Sequence, residues 1–235
     1  MSRNILKCSL GTILAFAIPA AFAATGNIAP LAVVDTAGGA APADVPLRPA
    51  DRAFTSPKVE ECIGRVQAQL TNPKLARMFT LCFPNTLDTT VKYRKLDDGD
   101  DDTFVITGDI PAMWLRDSGA QVWPYLRFAA EDEALRLLIR GVVRRQFRCL
   151  LIDTYANAFM EHPDSASTVW GSDYTEMRPG VFERKYELDS QCYPIRLAYA
   201  YWKKTGDATI FDALWLKTVR AVYNTMKRQQ GGAAR

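Results

Sequence analysis

Between residues 132 and 158 the chain sets Leu135, Leu138, Ile139, Val142, Val143 and Phe147 three and four positions apart. That spacing is one stripe of a 3.6-residue helix, and a strand would scatter it over both faces. A run of this length cannot bury its stripe alone, so it commits the chain to packing helix on helix. Arg136, Arg140, Arg144 and Arg148 recur on the opposite side. A basic stripe of this kind is expected to be a solvated face.

The same periodicity returns along the chain. Ser56-Pro57 supplies an N-cap and a proline at the first helical position, and Val59, Ile63, Val66 and Leu70 follow at helical spacing. Asn72-Pro73 ends that helix, and a second helical piece runs from Lys74 to Phe83, stopping at Pro84. Further helices are predicted at about 187–204 and 208–228, the latter carrying Ile210, Phe211, Leu214 and Val222. The pattern breaks at "TTVKYRKL" and "TFVIT", two β-prone runs around "DDGDDD", which read as a hairpin. The Asp97, Asp98, Asp100, Asp101 and Asp102 cluster lacks the distal Glu and the spacing of a calcium loop, so a solvated turn is expected. A long loop spans 159–185. The whole predicts an all-α fold with one small β-hairpin, laid out as part of an (α/α)6 toroid.

The N-terminal end reads differently. Residues 1–23 join Arg3 and Lys7 to a short apolar run and an Ala21-Phe22-Ala23 cleavage site, the form of a secretory signal peptide. The apolar run is short for a membrane span and Pro19 interrupts it, so export to the periplasm or outside is expected, without a stable membrane anchor. Residues 24–55, rich in Ala, Pro and Gly, read as a flexible linker, and 56–235 as the helical domain. A net charge of +3 gives no argument for a nucleic-acid partner. Cys62, Cys82, Cys149 and Cys192 lie in helix-like apolar stretches and are expected as buried free thiols rather than two disulfides. With one histidine, no Cys-x-x-Cys pair and no Gly-x-Gly-x-x-Gly or P-loop, neither a metal nor a cofactor is expected. No Gly-x-Ser-x-Gly elbow is present, which disfavours a serine hydrolase.

Two stretches carry candidate chemistry. "GDIPAMWLRDS" (108–118) sets Trp114, Arg116 and Asp117 together, an aromatic face beside a guanidinium and a carboxylate. A sugar, apolar on its ring faces and polar at its edges, suits such a corner. "GSDYTEMRPGVFERKYELDSQCYP" (171–194) gathers Asp173, Glu176, Glu183, Glu187 and Asp189 among aromatics. Paired carboxylates in such company suit glycoside hydrolysis, where one acid protonates the leaving oxygen and another activates water. Asp117-Ser118 and Asp189-Ser190 each precede a helix with an early proline; N-capping explains this, and helix ends on one rim would aim both carboxylates into a shared cavity.

Residues 107–125, "TGDIPAMWLRDSGAQVWPY", closely resemble the signature of glycoside hydrolase family 125, the metal-independent exo-acting α-1,6-mannosidases. "DTYANAF" (153–159), 173–199 and "TGDATIFD" (205–212) resemble that family in the same order. The resemblance implies an (α/α)6 barrel that hydrolyses terminal α-mannose with inversion and without metal, on an α-mannoside or mannose-containing glycan. By the same resemblance Trp114, Arg116 and Asp117 line the subsite for the terminal mannose, joined by Asn157, Glu176 and Glu187. Six helices against the barrel's twelve imply the N-terminal half only, with the family's acid and base expected beyond Arg235 and Asp189 the remaining catalytic candidate. Cutting such a ring is expected to leave the last helix, with Ile210, Phe211, Leu214, Trp215 and Val222, without a partner. The alternative is a non-catalytic mannoside-binding remnant using the same corner. A metal-dependent cyclase toroid is disfavoured by the absence of a helical Asp-Asp-x-x-Asp. Nothing in the sequence sets an oligomeric state.

Overall fold

A computed structural model describes residues 51–167 and 174–231. The signal peptide, most of the linker and Asp173 lie outside them. Among the described residues there are seven α-helices: α1 (Pro57–Gln69), α2 (Pro73–Cys82), α3 (Asn85–Thr89), α4 (Leu115–Val122), α5 (Glu133–Ile152), α6 (Leu188–Thr205) and α7 (Ala213–Gln229). Five short strands accompany them: β1 (Val91–Lys95), β2 (Asp101–Val105), β3 (Met113–Trp114), β4 (Ala158–Phe159) and β5 (Val181–Glu183). None of the described helices is long and apolar enough to cross a membrane.

Local chemistry starts each helix where the sequence places it. The Ser56 hydroxyl accepts from Val59 N–H at 3.2 Å and donates to Asp132 at 2.6 Å. Asp132 in turn caps α5 through Leu135 N–H, so one carboxylate fastens two helix beginnings together. Asn72 does not close α1, which ends at Gln69; it caps α2, with Pro73 in the first turn. Gly206 ends α6 at φ 75°, a left-handed position that a side chain would strain. The last five residues of the expected linker fall within the described part, where Ala53 and Phe54 N–H bond to Asp88 and Leu87 carbonyls.

α5 is the axis. Its stripe of Leu135, Leu138, Ile139, Val142, Val143 and Phe147 is fully buried, against the hairpin, α6 and α7. The hairpin pairs Val91 with Val105 through Lys95 with Asp101, as expected. It lies flat on α5 because Gly141 has no Cβ: one built there would meet Thr103 Oγ1 at 2.3 Å. Thr103 then donates to Leu138 O at 2.7 Å.

Two expectations fail in part, for one reason. Asp97 and Asp98 are exposed as expected and Arg136 pairs with its neighbour Glu133, but Asp100, Asp101 and Asp102 are the partners of Arg140, Arg144 and Arg148. Asp101 and Asp102 are buried, and Arg144 and Arg145 are nearly so. Asp100 pairs with Arg144 at 2.7 Å and Arg148 at 2.9 Å, Asp101 with Arg140 and Lys95, and Asp102 with Arg148 at 2.7 Å and Arg145 at 3.1 Å. Burial by itself would raise the Asp101 carboxyl, but hydrogen bonds from Lys95, Tyr93 and Arg140 outweigh it and hold it below the usual range.

The last helix also departs from expectation. Ile210 and Val222 are buried, and Phe211, Leu214 and Trp215 pack on the core. Trp215 meets Phe147 and Phe211, and Phe211 meets Trp202, at ring separations of 5.1–5.6 Å. The apolar stripe therefore faces α5 and α6, and the large residues left exposed on α7 are Leu216 and Tyr223. All four cysteines in the described part are free, but only Cys62 and Cys149 are buried; Cys82 and Cys192 are exposed.

Candidate functional site

The loop expected between 159 and 185 contributes a strand, and with it a sheet that periodicity could not reveal. β3, β4 and β5 pair antiparallel in that order, matching Trp114 to Ala158 and Ala158 to Glu183. Strands of two or three residues are too short to show alternation. This sheet fixes the entry to α4: Leu115 N–H bonds to Asn157 O at 3.0 Å, and Asn157 N–H to Glu183 O at 3.2 Å.

Glu183 is the buried carboxylate at the centre. It accepts from Asn157 Nδ2 at 2.6 Å and Lys185 Nζ at 2.8 Å, and from the Trp114 side chain. Burial would raise its carboxyl; the bonds from Lys185, Asn157 and Trp114 prevail and lower it. Asn157 is engaged at both ends of its amide, since its Oδ1 accepts from Lys185 N–H at 3.1 Å. Trp114 is half-buried, edge-on to Phe182 at 5.5 Å between centroids. Sequence reasoning counted Glu183 among the loop acids without singling it out. The signal was its place two residues before Lys185, but only the sheet brings Trp114 and Asn157 to it.

One helical step further, Arg116 gathers the carboxylates. Its guanidinium lies 3.1 Å from Asp189, 3.6 Å from Glu187 and 3.3 Å from Asp117. The Asp189 hydrogen bond, against some loss of solvent, holds Arg116 firmly charged. Arg116, Glu187, Leu188, Asp189 and Cys192 line an open cavity of about 480 Å³. Asp117 Oδ2 is buried and, although near Arg116, receives no aligned hydrogen bond. Neither Asp-Ser pair caps its helix. Trp114 and Glu187 occupy the cap positions, Asp117 and Asp189 sit in the first turns, and Ser190 donates to Glu187 at 2.9 Å. The positive ends of α4 and α6 thus both meet this carboxylate group.

Glu176 is exposed, and no contact joins it to this corner. Among the described residues no group of three or more His, Cys, Asp or Glu side chains is placed to hold a metal ion. A second cavity, about 670 Å³ between α2 and α4, is lined by Leu75, Met78, Phe79 and Phe83 and offers no carboxylate.

Chemically, the corner can present a fixed cation and several acceptors to a polyhydroxylated ligand. Glu187 and Asp189 both pair with one nitrogen of Arg116, so each carboxylate is already committed to holding that cation.

Comparison with known proteins agrees with this composition. Residues 72–235 match the model of the family described as metal-independent alpha-mannosidase (GH125). The Meiotically up-regulated gene 157 protein of Schizosaccharomyces pombe is 41% identical over 186 residues, which cover 76% of this chain and 36% of that protein. A solved Streptococcus pneumoniae protein, reported among metal-independent alpha mannosidases as a non-productive substrate complex with alpha-1,6-mannobiose, is 40% identical at a TM-score of 0.68. That match covers 76% of this chain and 41% of the solved one, so the chain spans well under half the length of either relative. On the family match and these identities, the chain belongs to glycoside hydrolase family 125, the metal-independent α-mannosidases.

Proposed function

We propose that this chain takes part in the exo-acting, inverting hydrolysis of terminal α-1,6-linked mannose, and that the described residues supply the grip on the terminal sugar. Arg116, Asp117, Glu187 and Asp189 hold the mannose hydroxyls, and Trp114 offers its ring face. Asn157 acts through Glu183 to keep Trp114 in place. The observation that carries this reading is the Arg116 corner itself, where Arg116 lines an open cavity and its neighbour Asp117 keeps a buried oxygen ion-paired to Arg116 but without an aligned hydrogen bond. A sugar hydroxyl can supply that missing hydrogen bond. The name of the S. pneumoniae complex supports the substrate class.

In this proposal Asp189 holds substrate rather than donating the proton, because it shares Arg116 with Glu187. The acid and base are then not contributed by this corner, and a chain that binds α-mannoside without cleaving it is the second reading. Export by the N-terminal signal places either activity outside the cytoplasm. Calorimetry with α-1,6-mannobiose, alongside an assay of released mannose on the full chain, tests both parts. Binding without release supports the grip and the second reading; binding with release supports hydrolysis by this chain. No binding, with the fold intact by circular dichroism, overturns the assignment of the corner.

A further inference from the structure

A cleft on another part of the surface gathers positive charge that the protein does not neutralise. Arg65 comes from α1, Arg127 from the 3-10 helix Trp123–Phe128, and Lys204 from the last turn of α6; together they line a recess of about 290 Å³. Lys58, Glu61 and Glu131 line it too, but these three satisfy one another, Lys58 lying 3.3 Å from Glu61 and 3.4 Å from Glu131. Among the described residues, Arg65, Arg127 and Lys204 have no carboxylate within ion-pair distance. The Arg65 guanidinium lies 3.8 Å from Cys62 Sγ, and that of Arg127 rests 5.2 Å from the Phe128 ring centroid. Six charged groups thus leave a surplus of two positive charges in one recess. In the hairpin network, by contrast, Arg144 and Arg148 are matched closely by acids.

We propose that this cleft binds a small phosphate-bearing anion, of the class of a phosphate monoester. Two guanidiniums and an ammonium from three separate elements surround the recess, and guanidinium forks match phosphate oxygens two at a time. The surplus charge suits a dianion. The recess is sized for one phosphate with a small attached group, not for a polymer. This inference does not depend on the mannoside reading.

The test is calorimetry on the full chain at low ionic strength, with inorganic phosphate and glucose 6-phosphate as probes. Both are expected to bind, more weakly as salt is added. Arg65→Ala and Arg127→Ala are each expected to weaken binding about tenfold. These side chains are exposed, so thermal melts should show both variants folded. Lys217→Ala removes one exposed positive charge from α7 and should leave affinity within about twofold. Vesicles of phosphatidylcholine with and without phosphatidylserine separate a soluble ester from a lipid headgroup. The proposal is overturned if neither probe binds at low salt, or if Lys217→Ala weakens binding as much as the arginine variants. Association with phosphatidylserine vesicles that soluble phosphate does not compete away also overturns it.

Discussion

Asp117 and Glu183 differ in what their carboxylates are for. Glu183 is buried and fully engaged by Asn157, Lys185 and Trp114, whereas Asp117 keeps a buried oxygen without an aligned donor. Replacing Asp117 with Ala should therefore leave the fold intact while weakening α-1,6-mannobiose binding at least tenfold, since a hydrogen bond to a charged group contributes about 1.5–3 kcal/mol. Calorimetry decides it, and unchanged affinity in a folded variant would remove Asp117 from the grip. Glu183→Gln should behave in the opposite order. The amide keeps the shape but leaves several donors competing for one acceptor oxygen, so stability to urea should fall by about 1–3 kcal/mol. Thiol reactivity follows burial in the same way. Burial pushes the Cys149 thiol up to about 12, so its thiolate is scarce as well as shielded. Peptide mapping after brief alkylation of the native protein should find Cys82 and Cys192 modified, and Cys62 and Cys149 protected until the chain unfolds.

At the scale of elements, the hairpin and α5 form one device. Gly141 admits β2 to the helix surface, and the acids of the turn then fall on the arginines of the helix. A methyl group at position 141 would collide with Thr103 backbone as well as side chain, the backbone N standing 2.9 Å from where the Cβ would sit. Gly141→Ala, ordinarily favourable in a helix, should here destabilise by about 1–3 kcal/mol, as overpacking does. A denaturant midpoint equal to or above that of the parent would show that the hairpin moves aside freely. The hydrophobic stripe of α5 was legible in the sequence because a period of 3.6 is local. The destination of its arginines was not, because charge alone does not distinguish a solvated face from a face awaiting a distant acid. The sheet of β3, β4 and β5 was equally hidden, since its strands are brought together over some 70 positions of chain.

Across the whole molecule, carboxylates held by hydrogen bonds set the pH range of stability. Asp101, Asp207, Asp212 and Glu183 all have folded carboxyl values below the ordinary ones. In each, burial opposes the charge and hydrogen bonds overcome it. A lowered folded value means that stabilisation is complete above the unfolded value, near 4, and is lost as pH falls through the folded value. The alkaline side has the opposite sign. Burial and Asp101 push the Tyr93 phenol up to about 12, and burial with Asp207 raises Tyr201 too. Their contribution is full below the ordinary phenol value, near 10, and is lost as pH rises beyond it. Melting temperature should thus be nearly level from about pH 5 to 9, and fall below about 4 and above about 10. A melting temperature that holds down to pH 3 would mean these carboxylates contribute nothing net. The sequence by itself determined the long helices, the Ser56 cap, the hairpin and the family, because each is written in spacing a few residues long or in a contiguous motif. Only the tertiary structure decided which charges are spent on one another. It paired the acidic turn with the basic stripe, joined Arg116 to Glu187 and Asp189 across some 70 residues, and tied Trp114 and Asn157 to Glu183. A charge has no periodicity that names its partner, and its partner is chosen by which backbones the core brings within reach.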